Sequence, residues 1–491
     1  MNYNRNTSLS SLKVRYRNKV ITGVTFNLLI TLWGILVGSN LLFLLLFLLW
    51  GNMILYSLFK LGERILLFAY GVAFYIFLLG RDCLEQFFLY PSDTPFSDKL
   101  NNHAYFAMIC SIIGVWVSFS VFCRRYSKSN NPNKIIIGSD YLYKSIRKYS
   151  KISFYATYPF AIIINLVIGF FVMRYGYYSY YTDLSGVIAQ SPILYLFSKL
   201  EIMMPASFAV FMATLPDKDE FKKLSVPYVV YLIITLGCGQ RSTFLLGLLL
   251  FFIFLVYMQQ IRPQEKWFST KYMTYAVMAV PLIAIGGSAY KAIRFGNDVS
   301  EFSVTENFCR FFYDQGVTSN IIKRAYEYEN SIPKQEDPYT LEFLHSGLPA
   351  RLLGNEVYQG NNLDHAYKGG SFTHSLGYVI MGNGYLMGGG TGSSFIAELY
   401  YDFGYLGVLL GSALYGFIFS TITNFKNTSI FTKSLSFIIT TQLLWAPRAS
   451  FSGFLAFLFA PSTILLILFI FGTSYVKLSL HYRKQHLGNA R

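Results

Sequence analysis

The chain alternates between long apolar stretches and short polar ones over almost its whole length. A helix needs about 20 mostly apolar residues to cross a bilayer, and the segment from Ser39 to Phe59 meets this requirement without a single charge. The pattern predicts twelve such helices, at 21–37, 39–59, 62–80, 104–123, 152–173, 192–215, 224–240, 243–259, 272–290, 395–421, 434–446 and 451–476. We therefore expect an all-α polytopic integral membrane protein.

One polar interval interrupts this pattern between the ninth and tenth predicted spans. We expect a single membrane domain, 1–491, in which residues 292–394 form one long extracytoplasmic loop. The part of the loop from Glu306 to Asn330 has apolar residues at helical spacing, which predicts one or two short helices along the membrane surface. The part from Gly382 to Phe395 is dense in glycine, which favours close backbone approach to a ligand; a flexible linker is the alternative.

The composition supports a membrane protein, since 53% of the residues are hydrophobic and only 13% are charged, against about 25% charged in soluble domains. The net charge of +16 would suit a nucleic-acid partner, but its placement follows the predicted topology. With the N-terminus inside, 27 of the 41 Lys and Arg residues fall in cytoplasmic segments and 5 in the short outer loops. This bias predicts that both termini are cytoplasmic, with the lipid bilayer and not nucleic acid as the partner.

Three arginines are predicted at the outer membrane surface. Arg241 and Arg448 lie in tight turns between predicted spans, and Arg294 lies where the ninth span emerges. Charged side chains at membrane depth are costly and often mark function, and a guanidinium pairs bidentately with phosphate oxygens. The three arginines together predict a diphosphate-binding site; for any one of them, snorkelling to the interface is the alternative.

Two acidic residues follow the glycine-rich segment. Glu398 and Asp402 are four residues apart and would share one face of the tenth predicted span. Glu398 would lie near the start of that helix, where the helix dipole favours a carboxylate. We expect Glu398 to orient or deprotonate an acceptor hydroxyl; a structural ion pair with an arginine is the alternative.

The long loop contains three histidines, which are candidate general bases because the pKa of histidine lies near neutrality. His374 is our first choice among His345, His365 and His374, and a plain surface position is the alternative for each. Lys199 and Glu201 lie inside a predicted span, and we expect both to pair with other helices. The sequence contains no nucleotide or metal motif, so we expect no cofactor and no metal.

Four segments resemble the Wzy-type O-antigen and capsule polysaccharide polymerases, namely GTGSSFIAELYYDFGYLGVLLG (390–411), GCGQRSTFLLG (237–247), KAIRFG (291–296) and WAPRAS (445–450). The resemblance implies a bacterial membrane glycosyltransferase. Such an enzyme transfers glycan from undecaprenyl diphosphate onto another lipid-linked repeat unit, outside the cytoplasmic membrane. It also implies substrate contacts by Ser393, Ser394, Tyr400 and Asp402, and suggests a chain-length regulator as a further partner. The resemblance applies equally to polymerases of O-antigen, capsule and exopolysaccharide synthesis.

Two other functions remain open at this stage. An O-antigen-type ligase would use similar chemistry to move a finished glycan to a different acceptor. In a polysaccharide flippase or other transporter, charged residues from many spans would line a central path through the membrane. In this chain, however, the predicted spans are nearly free of charge and the polar groups gather at one face, which favours the polymerase.

Overall fold

The structure, a computed structural model, describes residues 3–129, 140–176, 180, 184–268, 304–424 and 428–489. Within these ranges the chain is helical and contains no strand. Nine of the described helices are long and apolar enough to cross a membrane, at Arg17–Leu36, Leu41–Leu58, Leu61–Phe87, Asp98–Arg124, Tyr141–Tyr175, Pro192–Ala213, Arg241–Ile261, Phe395–Thr423 and Pro461–Arg483. The expected all-α polytopic membrane fold is therefore confirmed.

The described α-helices, numbered in chain order, are α1 (Tyr3–Leu36), α2 (Leu41–Leu58), α3 (Leu61–Phe74), α4 (Gly80–Phe87), α5 (Asp98–Ser129), α6 (Asp140–Tyr175), α7 (Ser185–Gln190), α8 (Pro192–Ala213), α9 (Lys218–Gly237), α10 (Arg241–Ile261), α11 (Val304–Gln315), α12 (Thr318–Glu327), α13 (Gly347–Leu353), α14 (Leu363–Lys368), α15 (Phe372–Met381), α16 (Asn383–Leu386), α17 (Phe395–Thr423), α18 (Ile430–Trp445), α19 (Gly453–Leu458) and α20 (Pro461–Asn489). A π-helical turn at Tyr75–Leu79 joins α3 to α4. Short 3-10 segments lie at Pro263–Glu265, Tyr339–His345 and Ala446–Arg448.

Two of the twelve predicted spans correspond to helices outside the group of nine. The predicted span 224–240 falls in α9, which begins earlier than expected and carries a dense run of charges in its first two turns. The predicted span 434–446 falls in α18, which has only 16 residues. A third predicted span, 272–290, lies outside the described residues. The count of twelve spans therefore stays a prediction.

The predicted span 451–476 is wrong at its start. After Trp445 the chain forms a 3-10 turn and the short helix α19, and the long helix α20 begins only at Pro461. Proline suits the first turn of a helix because its missing N–H group would have no partner inside the helix there. Residues 445–452, which we call the Arg448 turn, therefore connect α18 to the short helix α19.

Helices α5 and α17 approach each other along a seam of small residues. A Cβ atom added at Gly114 would lie 2.4 Å from the carbonyl oxygen of Leu409, and one added at Gly416 would lie 2.3 Å from that of Val115. The hydroxyl of Ser412 donates to that of Ser111 over 3.0 Å across the same seam. Small residues let helix backbones pack closely in membranes, where burial of apolar surface adds little.

The start of the long loop forms two helices, α11 and α12, as the spacing predicted. They are docked on the bundle by a buried ion pair in which the Lys323 ammonium lies 2.8 Å from Asp82 of α4. A Cβ atom at Gly316, between the two helices, would lie 2.4 Å from the backbone nitrogen of Arg81. Because an unpaired charge in such a place is costly, this contact fixes the loop helices to α4.

We expect Gly416→Ala to destabilise the protein, since the added methyl group meets a backbone carbonyl that cannot rotate away. The loss should be about 1–3 kcal/mol, as is usual for overpacking, and thermal unfolding of the purified protein in detergent measures it. Gly472→Ala in α20 is the control, because a Cβ atom there meets nothing within 4 Å. Equal melting temperatures for the two variants would contradict the close seam.

Candidate functional site

A cavity of about 550 Å³ lies between α8, α9, α10 and α18. Its wall is partly apolar, with Leu246, Leu250, Ile438 and Phe457, and partly polar. The polar residues of the wall include Glu201, Gln240, Ser242, Thr243, Thr441 and Gln442. A volume of this size falls within the range of about 300–1,000 Å³ that is usual for small-molecule sites.

Glu201 in the cavity wall pairs with two other helices, as we expected for an acidic residue inside a span. Its Oε1 accepts hydrogen bonds from Asn165 of α6 over 2.6 Å and from the hydroxyl of Tyr231 of α9 over 3.3 Å. For Lys199 no such pairing is seen among the described residues, where its ammonium lies over the ring of Tyr195 in its own helix, 4.7 Å from the ring centre.

Arg241 is the first residue of α10 and lies between Gln240 and Ser242, which both line the cavity. The first N–H groups of a helix have no partner inside the helix, and together with the helix dipole they attract anions. The side chain of Gln240, which precedes α10, makes no capping hydrogen bond. A half-buried arginine and a helix N-terminus therefore occur together at this edge of the cavity.

Arg448 lies at the end of the 3-10 turn that follows α18. Its guanidinium carbon is 5.8 Å from the ring centre of Trp445, which lines the cavity. Nη1 donates to the carbonyl oxygen of Gln315 over 3.2 Å and to Oε1 of the same residue over 3.3 Å. Arg241 and Arg448 thus both adjoin residues of one cavity, whereas Arg294 lies outside the described residues.

Glu398 lies in the first turn of α17 and is fully buried. Its Oε1 accepts a hydrogen bond from the hydroxyl of Ser393 over 2.6 Å, and its Oε2 accepts one from the backbone N–H of Phe451 over 2.7 Å. Phe451 belongs to the Arg448 turn, and its carbonyl oxygen accepts from the hydroxyl of Tyr415 over 2.7 Å. Within the part of the chain that the structure describes, the carboxylate is therefore held by a hydroxyl and a backbone amide, and the alternative of an arginine pair is not seen.

Asp402 accepts hydrogen bonds from the backbone N–H groups of Tyr339 over 3.2 Å and Thr340 over 2.8 Å. The 3-10 segment to which these residues belong also carries Glu342, which interacts electrostatically with Glu398. Glu398 and Asp402 therefore face the same loop segment. The sequence pattern does not indicate Glu342, because nothing in its spacing relates it to a helix that begins far along the chain.

Ser394 and Tyr400 have different surroundings. Ser394 is fully buried, and its hydroxyl has no hydrogen-bond partner within the described residues. Tyr400 packs edge-on against the ring of His103, with 4.3 Å between ring centres, and against Tyr405 at 4.9 Å. Tyr400 therefore belongs to an aromatic cluster between α5 and α17, and the structure does not bring it into contact with Glu398.

His374 stacks on His365, with 3.5 Å between the ring centres, and its Nδ1 shares a hydrogen bond of 2.8 Å with the hydroxyl of Tyr385. Burial, together with the neighbouring His365, lowers the pKa of His374 to about 4. The imidazole is thus neutral at pH 7. The third histidine, His345, pairs with Asp337 over 3.2 Å. None of the described contacts of His374 joins it to Glu398 or to an arginine.

A family model described as O-antigen polysaccharide polymerase Wzy matches residues 20–479, which is nearly the whole chain. No curated protein and no solved structure matches the chain. The match includes every candidate site residue, from Arg241 to Arg448. The resemblance of the four segments is therefore confirmed at the level of the family.

We expect Glu398→Ala to destabilise the protein more than Glu398→Gln. Alanine leaves the half-buried N–H of Phe451 and the buried hydroxyl of Ser393 without their partner, and such a loss costs about 1–3 kcal/mol for a buried group. Glutamine can still accept from the N–H with its oxygen while its NH₂ group donates to the serine oxygen. Thermal unfolding of both variants measures the difference, and equal melting temperatures would contradict the role of this carboxylate in holding the Arg448 turn.

Proposed function

The chain belongs to the O-antigen polysaccharide polymerase Wzy family, and we propose that it transfers glycan from undecaprenyl diphosphate onto another lipid-linked repeat unit at the outer face of the bacterial cytoplasmic membrane. The observation that carries this proposal is the position of Arg241 and Arg448 beside one cavity between membrane helices. A lipid diphosphate has both properties that this arrangement requires, an anionic head and an apolar chain.

The two arginines would stabilise the leaving group. When the bond between the anomeric carbon and the diphosphate breaks, negative charge grows on the diphosphate oxygens. A guanidinium offers several N–H donors in a plane and pairs bidentately with such oxygens. The positive end of the α10 helix dipole, at Arg241, would add to this stabilisation. Hydrogen-bond donors that are already directed at the atoms on which negative charge develops usually make the largest single contribution to catalysis.

The cavity would hold the part of the isoprenoid chain next to the diphosphate. Leu246, Leu250, Ile438 and Phe457 supply apolar surface in its wall. The cavity begins at the N-terminal end of α10, beside Arg241, and follows that helix as far as Leu250. A lipid bound with its head at Arg241 would therefore extend its chain between the helices, in the direction of the membrane interior.

The acceptor sugar would lie on the side of Asp402, Ser393 and Ser394. An open pocket of about 520 Å³ adjoins Asp402 and is lined by Asn330, Gln335, Tyr401 and several carboxylates. Amide and carboxylate groups beside an aromatic ring suit the hydroxyl groups and the apolar faces of a sugar. Tyr400 does not line this pocket, and it would affect the acceptor only indirectly, through its packing in the aromatic cluster between α5 and α17.

We expect Arg241→Ala and Arg448→Ala each to reduce polymerisation by about 10²–10³-fold, the usual cost of removing one donor to a developing anion. Single repeat units should then accumulate on the lipid carrier while the protein still inserts. The assay incubates purified protein in liposomes with its lipid-linked repeat unit and resolves the products by length. Arg351→Ala in α13 is the control, because Arg351 is exposed.

Wild-type protein should convert the lipid-linked repeat unit into a ladder of longer products. If wild type makes no ladder but transfers glycan to a different acceptor, the enzyme is a ligase. If both arginine variants make long chains at the wild-type rate, the diphosphate site lies elsewhere.

A further inference from the structure

Glu342 is a half-buried residue of the long loop, outside the residues that the sequence pattern indicated. It lies on the 3-10 segment Tyr339–His345, which is held at two points. Asp402 of α17 accepts the N–H of Thr340 over 2.8 Å, and the hydroxyl oxygen of Ser452 accepts the N–H of Phe343 over 3.3 Å. Glu342 is thus positioned between the start of α17 and the Arg448 turn.

The neighbours of the Glu342 carboxyl are polar and come from several elements. Ser450, two residues after Arg448, and Ser371 at the start of α15 place their hydroxyls beside it. Two titratable groups face it, Glu398 from α17 and His345 from its own segment. Burial raises the pKa of Glu342, and the two hydroxyls and His345 offset part of this rise. Because two adjacent carboxylates repel each other, the pair favours a state with one proton between them.

The two members of this pair differ in exposure and in how fully their oxygens are hydrogen-bonded. Glu398 is fully buried, and each of its oxygens already accepts a short hydrogen bond, from Ser393 and from the N–H of Phe451. Glu342 retains exposed surface.

We propose that Glu342, and not Glu398 or His374, is the catalytic base of the transfer reaction, an inference that rests on the proposed function. The acceptor hydroxyl oxygen forms the new bond to the anomeric carbon, and its proton passes to the Glu342 carboxylate. The bond from that carbon to the diphosphate breaks, and its electron pair leaves with the lipid diphosphate. Glu398 is a positioning residue, which holds the Arg448 turn and lies beside Glu342. His374 is engaged with His365 and Tyr385.

The test compares single-turnover rates of wild type, Glu342→Gln, His374→Ala and Glu356→Gln in liposomes with the lipid-linked repeat unit. We expect Glu342→Gln to lose about 100-fold or more of the rate, as is usual for removal of a general base, while binding of the lipid-linked unit stays within twofold. Glu356 is exposed and serves as the matched control. The Glu356→Gln variant should keep the wild-type rate, and His374→Ala should keep far more activity than Glu342→Gln.

The pH profile separates a base from a structural role. The base acts only when ionised, and burial raises the pKa of Glu342, so the wild-type rate should rise with pH along an acid limb displaced upward from the usual range of glutamate. The residual activity of Glu342→Gln should lack this limb.

A wild-type rate with an unchanged pH profile in Glu342→Gln would overturn the inference and leave the proposed function intact. Loss of activity in His374→Ala with activity kept in Glu342→Gln would assign the base to His374. If Glu342→Gln fails to fold, the pH dependence of the wild-type rate tests the inference instead. A wild-type rate that does not fall at low pH would exclude a base that must be ionised, and would overturn the inference. Absence of a ladder with wild type would contradict the proposed function itself.

Discussion

The candidate site depends on the buried carboxylate of Glu398. It accepts hydrogen bonds from Ser393, at the end of the glycine-rich segment, and from Phe451, in the Arg448 turn. One side chain therefore joins the long loop, the start of α17 and the turn that carries a candidate phosphate-binding arginine. A buried acceptor of this kind cannot lose its donors cheaply, so the relative position of these three segments is well determined.

The membrane explains why the polar groups lie where they do. A spanning helix must satisfy its own backbone groups and tolerates few charges, so the ends of helices are where arginines and carboxylates can be placed. The start of α10 and the end of α18 bring Arg241 and Arg448 next to one cavity. The loop helices α11 and α12 add Gln315, which accepts from Arg448, and Lys323, which pairs with Asp82. The long loop therefore contributes contacts to the candidate site and is not only a connection.

The sequence was sufficient for the fold class, the family and the two loop helices, because hydropathy and helical spacing are local properties. The shared face of Glu398 and Asp402 also followed from local spacing. Glu342 was missed because its relation to Glu398 depends on how the loop folds back onto α17, and no local pattern records that contact. The start of the last span was wrong because its apolar composition continues across Pro461, where the chain nonetheless breaks. The contacts of His374 could not be predicted from the sequence either, because its partners His365 and Tyr385 come from separate short helices.

The most direct test of the account is a cryo-EM structure of the protein with its lipid-linked repeat unit bound. We expect the diphosphate within hydrogen-bonding distance of the guanidinium groups of Arg241 and Arg448, with the isoprenoid chain in the cavity between α8, α9, α10 and α18. A diphosphate bound away from both guanidinium groups, with that cavity empty, would contradict the account.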